Sequence, residues 1–123
     1  MKEKKVLIVD DEKDFGFLMT EFFSKKGCKV FLGGSIAEGL TILQDEKPDF
    51  IFLDNLLPDG LGWGKTEFIL ANYPGTQLIL ISAMEVPKTS SSAFRILYKP
   101  FIKDELNDMF SPRQGFSDAK QAF

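Results

Sequence analysis

The sequence predicts an α/β fold in which helices cover both faces of a parallel β-sheet. Short apolar segments alternate along the chain with segments of helical spacing, as expected for repeated strand–helix units. Residues 6–9, 50–53 and 78–81 are wholly apolar rather than alternately polar, which is typical of strands buried on both faces. These segments run directly into polar side chains, so one edge of the sheet is expected to carry the chemistry.

Length and composition limit the function classes. The 123 residues are 44% hydrophobic and 27% charged, which predicts one folded domain with a single core. A net charge of −3 gives no basic surface for general nucleic-acid binding. No apolar run approaches the ~18 residues of a membrane span, and the basic start leads into too short an apolar run for a signal peptide.

Cysteine and histidine usage excludes further chemistry. Cys28 is the one cysteine, which rules out an internal disulfide; it is expected to be a small core residue in a reducing cytoplasm. The chain has no histidine, so histidine-based catalytic triads and histidine-ligated zinc are excluded within it. A phosphohistidine, if one is involved, must therefore come from a partner.

The first half of the chain predicts two strand–helix units. A helix over residues 13–26 follows the first strand, and a short strand over residues 28–32 follows that helix. Ser35 and Glu38 match a capping box that opens a second helix, which ends before Pro48. The apolar side chains expected on the inward face of the first helix are Phe15, Leu18 or Met19, Phe22 and Phe23.

The second half predicts a turn-rich loop and a third helix between strands. The loop covers residues 55–62, and the helix covers residues 63–72 with Phe68 and Ile69 turned inward. Its early glycines are expected to leave the first helical turn soft. The three further strands are expected at residues 50–53, 77–81 and 94–98.

The last third of the chain departs from regular alternation. A fourth helix is expected over residues 85–93, but that segment is serine-rich and has no apolar stripe, so it predicts a mobile loop. A short last helix is expected over residues 103–110. Residues 1–110 are therefore predicted to form the domain, and residues 111–123 a polar tail or the stump of a linker.

Polar side chains follow four of the predicted strands. Because the carboxyl ends of parallel strands meet at one edge of the sheet, these side chains are expected to lie together. The three consecutive carboxylates at residues 10–12 repel one another, so they either face water as a charged turn or bind a cation. The residues are Asp10, Asp11, Glu12, Asp54, Ser82 and Lys99.

This set of residues suits phosphoryl chemistry. Carboxylates without histidine or thiolate form a hard oxygen site for Mg²⁺ or Mn²⁺. Lys99 supplies a cation and Ser82 a hydroxyl donor, which would neutralise phosphoryl oxygens. Asp54 is the expected nucleophile, since an aspartate can form an acyl phosphate. The sequence contains no GxxxxGK[ST] phosphate loop, so direct use of a nucleotide is not expected.

Four segments in this order resemble the receiver domain of two-component response regulators. They are residues 6–11, Asp54 with residues 57–60, residues 82–83 and residues 99–101, and the resemblance covers about residues 4–110. It implies a flavodoxin-like, doubly wound sheet of five parallel strands in the order 2-1-3-4-5. It also implies a bacterial phosphorelay protein that takes its phosphoryl group from a histidine kinase or a histidine phosphotransfer protein.

The resemblance also implies the role of each site residue. Asp54 would be the phosphoacceptor. Asp11 and Asp54 would ligate Mg²⁺ directly, the main-chain carbonyl of Leu56 would be a third ligand, and Asp10 would act through water.

Two further roles follow from the same resemblance. Ser82 would bond a phosphoryl oxygen and move on activation, and Lys99 would pair with the phosphate. The alternatives are a strand-end cap for Ser82 and a solvated charge for Lys99. The bond between Lys99 and Pro100 is expected to be cis.

The chain departs from the family pattern in two places. The interval from Ser82 to Lys99 is about five residues shorter than usual, which is more than one helical turn, so the fourth helix is predicted to be missing or disordered. Ile96 also stands three residues before Lys99, where the family has Tyr or Phe. Both departures concern the surface by which the family commonly signals, while the acceptor residues stay in place.

Three functions remain open. The first is a cytoplasmic receiver that signals to a downstream protein by contact and catalyses only its own phosphoryl transfer and dephosphorylation. The second is a receiver-like scaffold whose binding ignores phosphorylation. The third, an aspartate-based phosphatase, is disfavoured because Leu56 stands where such enzymes carry a second aspartate.

Overall fold

The regular elements follow the predicted alternation of strands and helices. The computed structural model describes residues 3–83 and 93–99 of the chain. In chain order the elements are β1 (Lys5–Val9), α1 (Lys13–Ser24), β2 (Lys29–Gly33), α2 (Ile36–Glu46), β3 (Phe50–Asp54), α3 (Thr66–Asn72), β4 (Gln77–Ser82) and β5 (Phe94–Tyr98). Three helices and a five-stranded sheet are thus described.

All five strands run parallel in the order β2-β1-β3-β4-β5. β1 lies between β2 and β3, with Leu7 opposite Phe31 on one side and Ile51 on the other. The chain moves outward from β1 in one direction to β2 and in the other to β3, so the order reverses beside β1. Such a reversal opens a crevice at the carboxyl ends of the strands. The predicted fold class and strand order are confirmed.

Each face of the sheet has its own apolar core. α1 covers one face and α2 and α3 cover the other, because alternate residues of a strand point to opposite sides. Successive residues of β1 illustrate this, since Ile8 belongs to the α1 core and Val9 to the opposite core. Phe23 of α1 is fully buried and packs against Phe52 with ring centroids 5.6 Å apart. The wholly apolar strands are therefore buried on both faces, as predicted.

Two inward-facing helix positions are settled by the structure. In α1 it is Met19 that is buried, while Leu18 is 56% exposed. In α3 Ile69 is buried, but Phe68 is 47% exposed, so the prediction that Phe68 points inward is wrong. Neighbouring residues on a helix point about 100° apart, and Ile69 takes the place against the sheet. Phe68 instead packs edge-on against Tyr73, with ring centroids 6.3 Å apart.

The helix ends differ slightly from the predicted bounds. Ser35 Oγ accepts the N–H of Glu38 as predicted, but the Glu38 carboxylate accepts the N–H of Gly34 rather than that of the cap residue. α1 ends at Ser24, two residues early. The soft start predicted for the third helix is a 3₁₀ turn, Gly62–Lys65, that precedes α3.

Four predictions lie wholly or mostly outside the described residues. They are the mobile loop over residues 85–93 in place of a fourth helix, the last helix, the polar tail and the cis bond after Lys99. Among the described residues, no helix has the length and apolar character needed to cross a membrane.

Candidate functional site

The predicted polar residues lie at the carboxyl edge of the sheet. Asp10 directly follows β1, Asp54 and Ser82 end β3 and β4, and Lys99 directly follows β5. Asp10, Asp54 and Ser82 are buried. The main-chain N–H of Lys99 donates to the carbonyl of Ser82 at 2.6 Å, which ties the ends of β4 and β5 together. Parallel pairing of four strands is what assembles these residues.

Three carboxylates form the acidic part of the site. One oxygen from each of Asp10, Asp11 and Asp54 lies within 4.8 Å of the others. Charges this close repel strongly, so the arrangement favours either a cation or a proton among them. The donor set consists only of hard oxygen atoms and therefore fits Mg²⁺ or Mn²⁺ rather than a softer metal. Leu56 lies two residues beyond Asp54, and the role of its carbonyl stays a prediction.

Lys99 is the cationic part of the site. Its side chain is only 8% exposed, and its Nζ lies 2.8 Å from Asp10 Oδ2, 2.6 Å from Glu12 Oε1 and 3.9 Å from Asp54 Oδ2. The same atom lies 4.8 Å from the centre of the Phe15 ring, a cation–π contact that adds to its surroundings. The ammonium is thus buried and paired rather than solvated.

Burial and charge shift the titration of two groups. Burial, reinforced by neighbouring Asp10, raises the pKa of Asp54 to about 6, although Lys99 and the N–H of Asn55 act in the opposite direction. Burial by itself would lower the pKa of Lys99, but its hydrogen bonds to Asp10 and Glu12 raise that pKa above its ordinary value. Lys99 is therefore charged at neutral pH, and Asp54 is mostly ionised and available as a nucleophile.

Main-chain groups orient the two buried carboxylates. Asp10 Oδ1 accepts the N–H of Glu12 at 2.8 Å, and Asp54 Oδ1 accepts the N–H of Asn55 at 2.9 Å. In both aspartates this leaves Oδ2 as the oxygen nearer to Lys99. The two carboxylates are therefore held with one oxygen each toward the ammonium.

The loop after Asp54 is more ordered than the sequence indicated. Leu56–Leu57 pairs with Gly60–Leu61 in a two-residue antiparallel ladder. Asp59, at the turn of this hairpin, accepts the N–H groups of Ile36 and Ala37 at 2.8 and 3.0 Å, and so caps the start of α2. The turn residues predicted a loop correctly, but no local pattern indicates a bond to residues more than twenty positions away.

Trp63 contacts the strands of the site, a role that the sequence did not indicate. Its indole N–H donates to the carbonyls of both Leu53 and Ile81, at 3.1 and 3.2 Å. These carbonyls belong to the residues just before Asp54 and Ser82. Trp63 was expected only to begin a helix, and its spacing from Asp54 carries no pattern that would have indicated this contact.

The doubly wound α/β fold, with carboxylates and a lysine at the carboxyl edge of its sheet, agrees with the resemblance to a receiver domain. Comparison with known proteins identifies the family. The family described as response regulator receiver domain matches residues 6–111. Sporulation initiation phosphotransferase F of Bacillus subtilis is 30% identical over 115 residues, which cover 88% of this chain and 91% of that protein. The chain therefore belongs to the response regulator receiver domain family.

Other relatives and solved structures agree with this assignment. The transcriptional regulatory protein DpiA of Escherichia coli is 30% identical over 108 residues, and the match spans 82% of this chain but only 48% of that regulator. A CheY-like receiver domain from Methanospirillum hungatei has a TM-score of 0.83 at 20% identity, covering 99% of this chain and 100% of its own. A two-component response regulator from Clostridium difficile has a TM-score of 0.76 at 26% identity, covering 85% and 89%.

Proposed function

We propose that this receiver domain is a phosphoacceptor in which Asp54 takes a phosphoryl group from a phosphohistidine. The donor is a histidine kinase or a histidine phosphotransfer protein, and the phosphorylated domain signals in the cytoplasm through contact with a downstream protein. The observation that carries the proposal is a buried carboxylate, Asp54, that lies beside Asp10 and Asp11 and has an ammonium 3.9 Å away. The match to a phosphotransferase over nearly its whole length supports it.

Asp54 is suited to be the nucleophile. One of its carboxylate oxygens would attack phosphorus, the bond from phosphorus to the donor imidazole nitrogen would break, and that nitrogen would keep the electron pair. The N–H of Asn55 restrains the carboxylate, so less orientational freedom is lost when the donor arrives. The product is an acyl phosphate on Asp54.

Mg²⁺ or Mn²⁺ would be held by Asp10, Asp11 and Asp54, with the Leu56 carbonyl as a further ligand. When bound, such a cation neutralises negative charge on the phosphoryl oxygens. Asp11 is exposed, whereas Asp10 and Asp54 are buried, so the acidic cluster is open to solvent on the side of Asp11.

Lys99 and Ser82 would contact the transferred group. A lysine ammonium has three N–H donors, and Asp10 and Glu12 engage two of them, which leaves one for a phosphoryl oxygen. Ser82, at the end of the neighbouring strand, offers a hydroxyl donor. Lys99 already lies beside the carboxylates in the free protein, and a preorganised cation of this kind stabilises developing charge effectively.

The test is a Mg²⁺-dependent gain in mass with a small phosphodonor such as acetyl phosphate. The wild type is expected to gain one phosphoryl group, and Asp54→Ala to gain none. Asp45→Ala is the matched control, because Asp45 is an exposed aspartate in the last turn of α2. No gain by the wild type, or an undiminished gain by Asp54→Ala, would contradict the proposal.

Ile96 favours one alternative, a scaffold whose binding ignores phosphorylation. This half-buried residue packs with the core on the side of α2 and α3, and it offers no polar group at the family's switch position. Equal affinity of a partner for the phosphorylated wild type and for Asp54→Ala would favour the scaffold. A marked preference for the phosphorylated form would favour signalling.

We also propose that the chain does not turn over external phosphomonoesters. Leu56 occupies the place where an aspartate-based phosphatase has its second aspartate, and its side chain carries no acid or base. Steady release of phosphate from p-nitrophenyl phosphate that is lost in Asp54→Ala would overturn this.

A further inference from the structure

The indole of Trp63 joins the two strands that carry Asp54 and Ser82. Its single N–H is shared between the carbonyls of Leu53 at the end of β3 and Ile81 near the end of β4, at 3.1 and 3.2 Å. The ring is half-buried and packs with the core on the side of α2 and α3. The indole has one N–H and no acceptor, so these two carbonyls engage its one hydrogen-bonding group.

Each of these carbonyls is part of a peptide plane that leads into a site residue. The carbonyl of Leu53 and the N–H of Asp54 lie in one rigid unit, and the carbonyl of Ile81 and the N–H of Ser82 lie in another. A donor that holds both carbonyls fixes the orientation of both planes. It therefore restrains where the Asp54 and Ser82 side chains leave the backbone.

Hydrogen bonds to Asn55 hold the backbone that carries the indole in place. The N–H of Trp63 donates to Asn55 Oδ1 at 3.1 Å, and the N–H of Gly62 donates to the Asn55 carbonyl at 2.7 Å. Gly62 lies so close to β3 that a Cβ at this position would overlap the carbonyl oxygen of Asp54. Only glycine permits this approach, which brings the adjacent Trp63 against the strand ends.

We propose that Trp63 is a positioning residue that sets the placement of Ser82 relative to Asp54 for phosphoryl transfer. This rests on the proposed function, because it assumes that Asp54 accepts the phosphoryl group and that Ser82 contacts it. Trp63 does not touch the transferred group and acts only through the two peptide planes.

The test uses the fact that the chain has one tryptophan. Replacing tryptophan throughout by 3-benzothienylalanine changes Trp63 alone and puts sulfur in place of the N–H at nearly the same shape. The phosphorylation rate with acetyl phosphate is expected to fall about three- to tenfold, the effect of losing one ordinary hydrogen bond. Replacement by 7-azatryptophan keeps the N–H and is expected to restore the rate.

A double-mutant cycle separates positioning from general destabilisation. If Trp63 acts through Ser82, removing the indole N–H in a Ser82→Ala background should cause no further loss of rate. A loss of the same size in both backgrounds would overturn the proposal, as would an unchanged rate in the single replacement. Trp63→Phe, which keeps an aromatic ring without the donor, repeats the cycle if the analogue folds poorly.

Thr76→Val is the matched control for stability. Thr76 is buried at the opposite edge of the sheet and donates its hydroxyl to the Pro48 carbonyl at 2.6 Å. Its loss is expected to destabilise the fold without slowing phosphorylation, and a comparable slowing would contradict the specific role of Trp63. Failure of the wild type to take phosphate would refute the proposed function and this inference together, whereas a failed cycle in an active protein refutes this inference alone.

Discussion

The two edges of the sheet use charge in opposite ways. At the amino edge the charged groups are matched: the N–H of Lys5 donates to Asp49 Oδ2 at 2.8 Å, and Lys5 Nζ lies 3.2 Å from Glu46 Oε1. At the carboxyl edge, Lys99 lies within 4 Å of three carboxylates, those of Asp10, Glu12 and Asp54.

The two edges of the sheet therefore have different roles. Matched charges and main-chain bonds, such as the one from Gln77 N–H to the Asp49 carbonyl at 2.8 Å, hold the amino ends of the strands in register. The excess of carboxylates at the carboxyl edge costs stability in the free protein, because two of them, Asp10 and Asp54, are buried. Such a cost is typical of functional sites, and it fits the proposed binding of a cation and a phosphoryl group.

The largest expected effect comes from removing the ammonium at the carboxyl edge. Lys99→Met should lower the free energy of unfolding by about 3–5 kcal/mol at neutral pH, because it leaves buried carboxylates without their cation. Urea denaturation in EDTA measures this. Lys5→Met is the control at the amino edge, where the ion pair is about one-third exposed and should contribute at most about 1 kcal/mol. Equal losses in the two variants would remove the distinction between the edges.

The titration of Asp54 gives the next largest effect. Its carboxyl pKa lies at about 6 rather than 3.8, so the folded state binds the proton more tightly than the unfolded state. The resulting stabilisation is present below pH 3.8 and is lost as pH rises through about 6, by up to roughly 3 kcal/mol. Asp54→Asn cannot titrate and should abolish this loss.

The measurement is the difference in unfolding free energy between the wild type and Asp54→Asn, in EDTA, from pH 4 to pH 8. Asp54→Asn should gain on the wild type as pH rises, and the gain should level off above the pKa of Asp54. A difference that does not change with pH would show that Asp54 carries no buried charge. Saturating Mg²⁺ should reduce the difference, because it compensates the ionised carboxylate.

Much of the fold and the membership of the site could be predicted from sequence. Wholly apolar strands indicated a sheet buried on both faces, and the polar residues after them indicated which edge carries the site. These features are local, since strand length and the residue after a strand are read directly from the chain. The place of Asp54, Ser82 and Lys99 at one edge follows from parallel pairing alone.

Contacts between distant segments could not be predicted. Whether Phe68 or Ile69 faces the sheet depends on how α3 is rotated, which local spacing leaves undecided between neighbours. The bonds from Trp63 to Ile81 and from Asp59 to Ile36 join segments that only the folded chain brings together. The sequence predicts the repulsion inside the acidic cluster, but it does not predict the burial that raises the pKa of Asp54.

The smallest expected effect tests whether every charge near the site serves it. Asp59 is fully exposed and accepts two N–H groups at the start of α2, bonds that lower its pKa. Their contribution should be present above the ordinary pKa of an aspartate and be lost as pH falls through the lowered value. Asp59→Ala should therefore speed amide exchange at Ile36 and Ala37 at neutral pH and much less in acid, while Asp45→Ala should leave both amides unchanged.

Phosphorylation of Asp59→Ala should stay near the wild-type rate, because Asp59 caps a helix and is not expected to act on the phosphoryl group. A large loss of rate would instead place Asp59 with Trp63 among the groups that position the site.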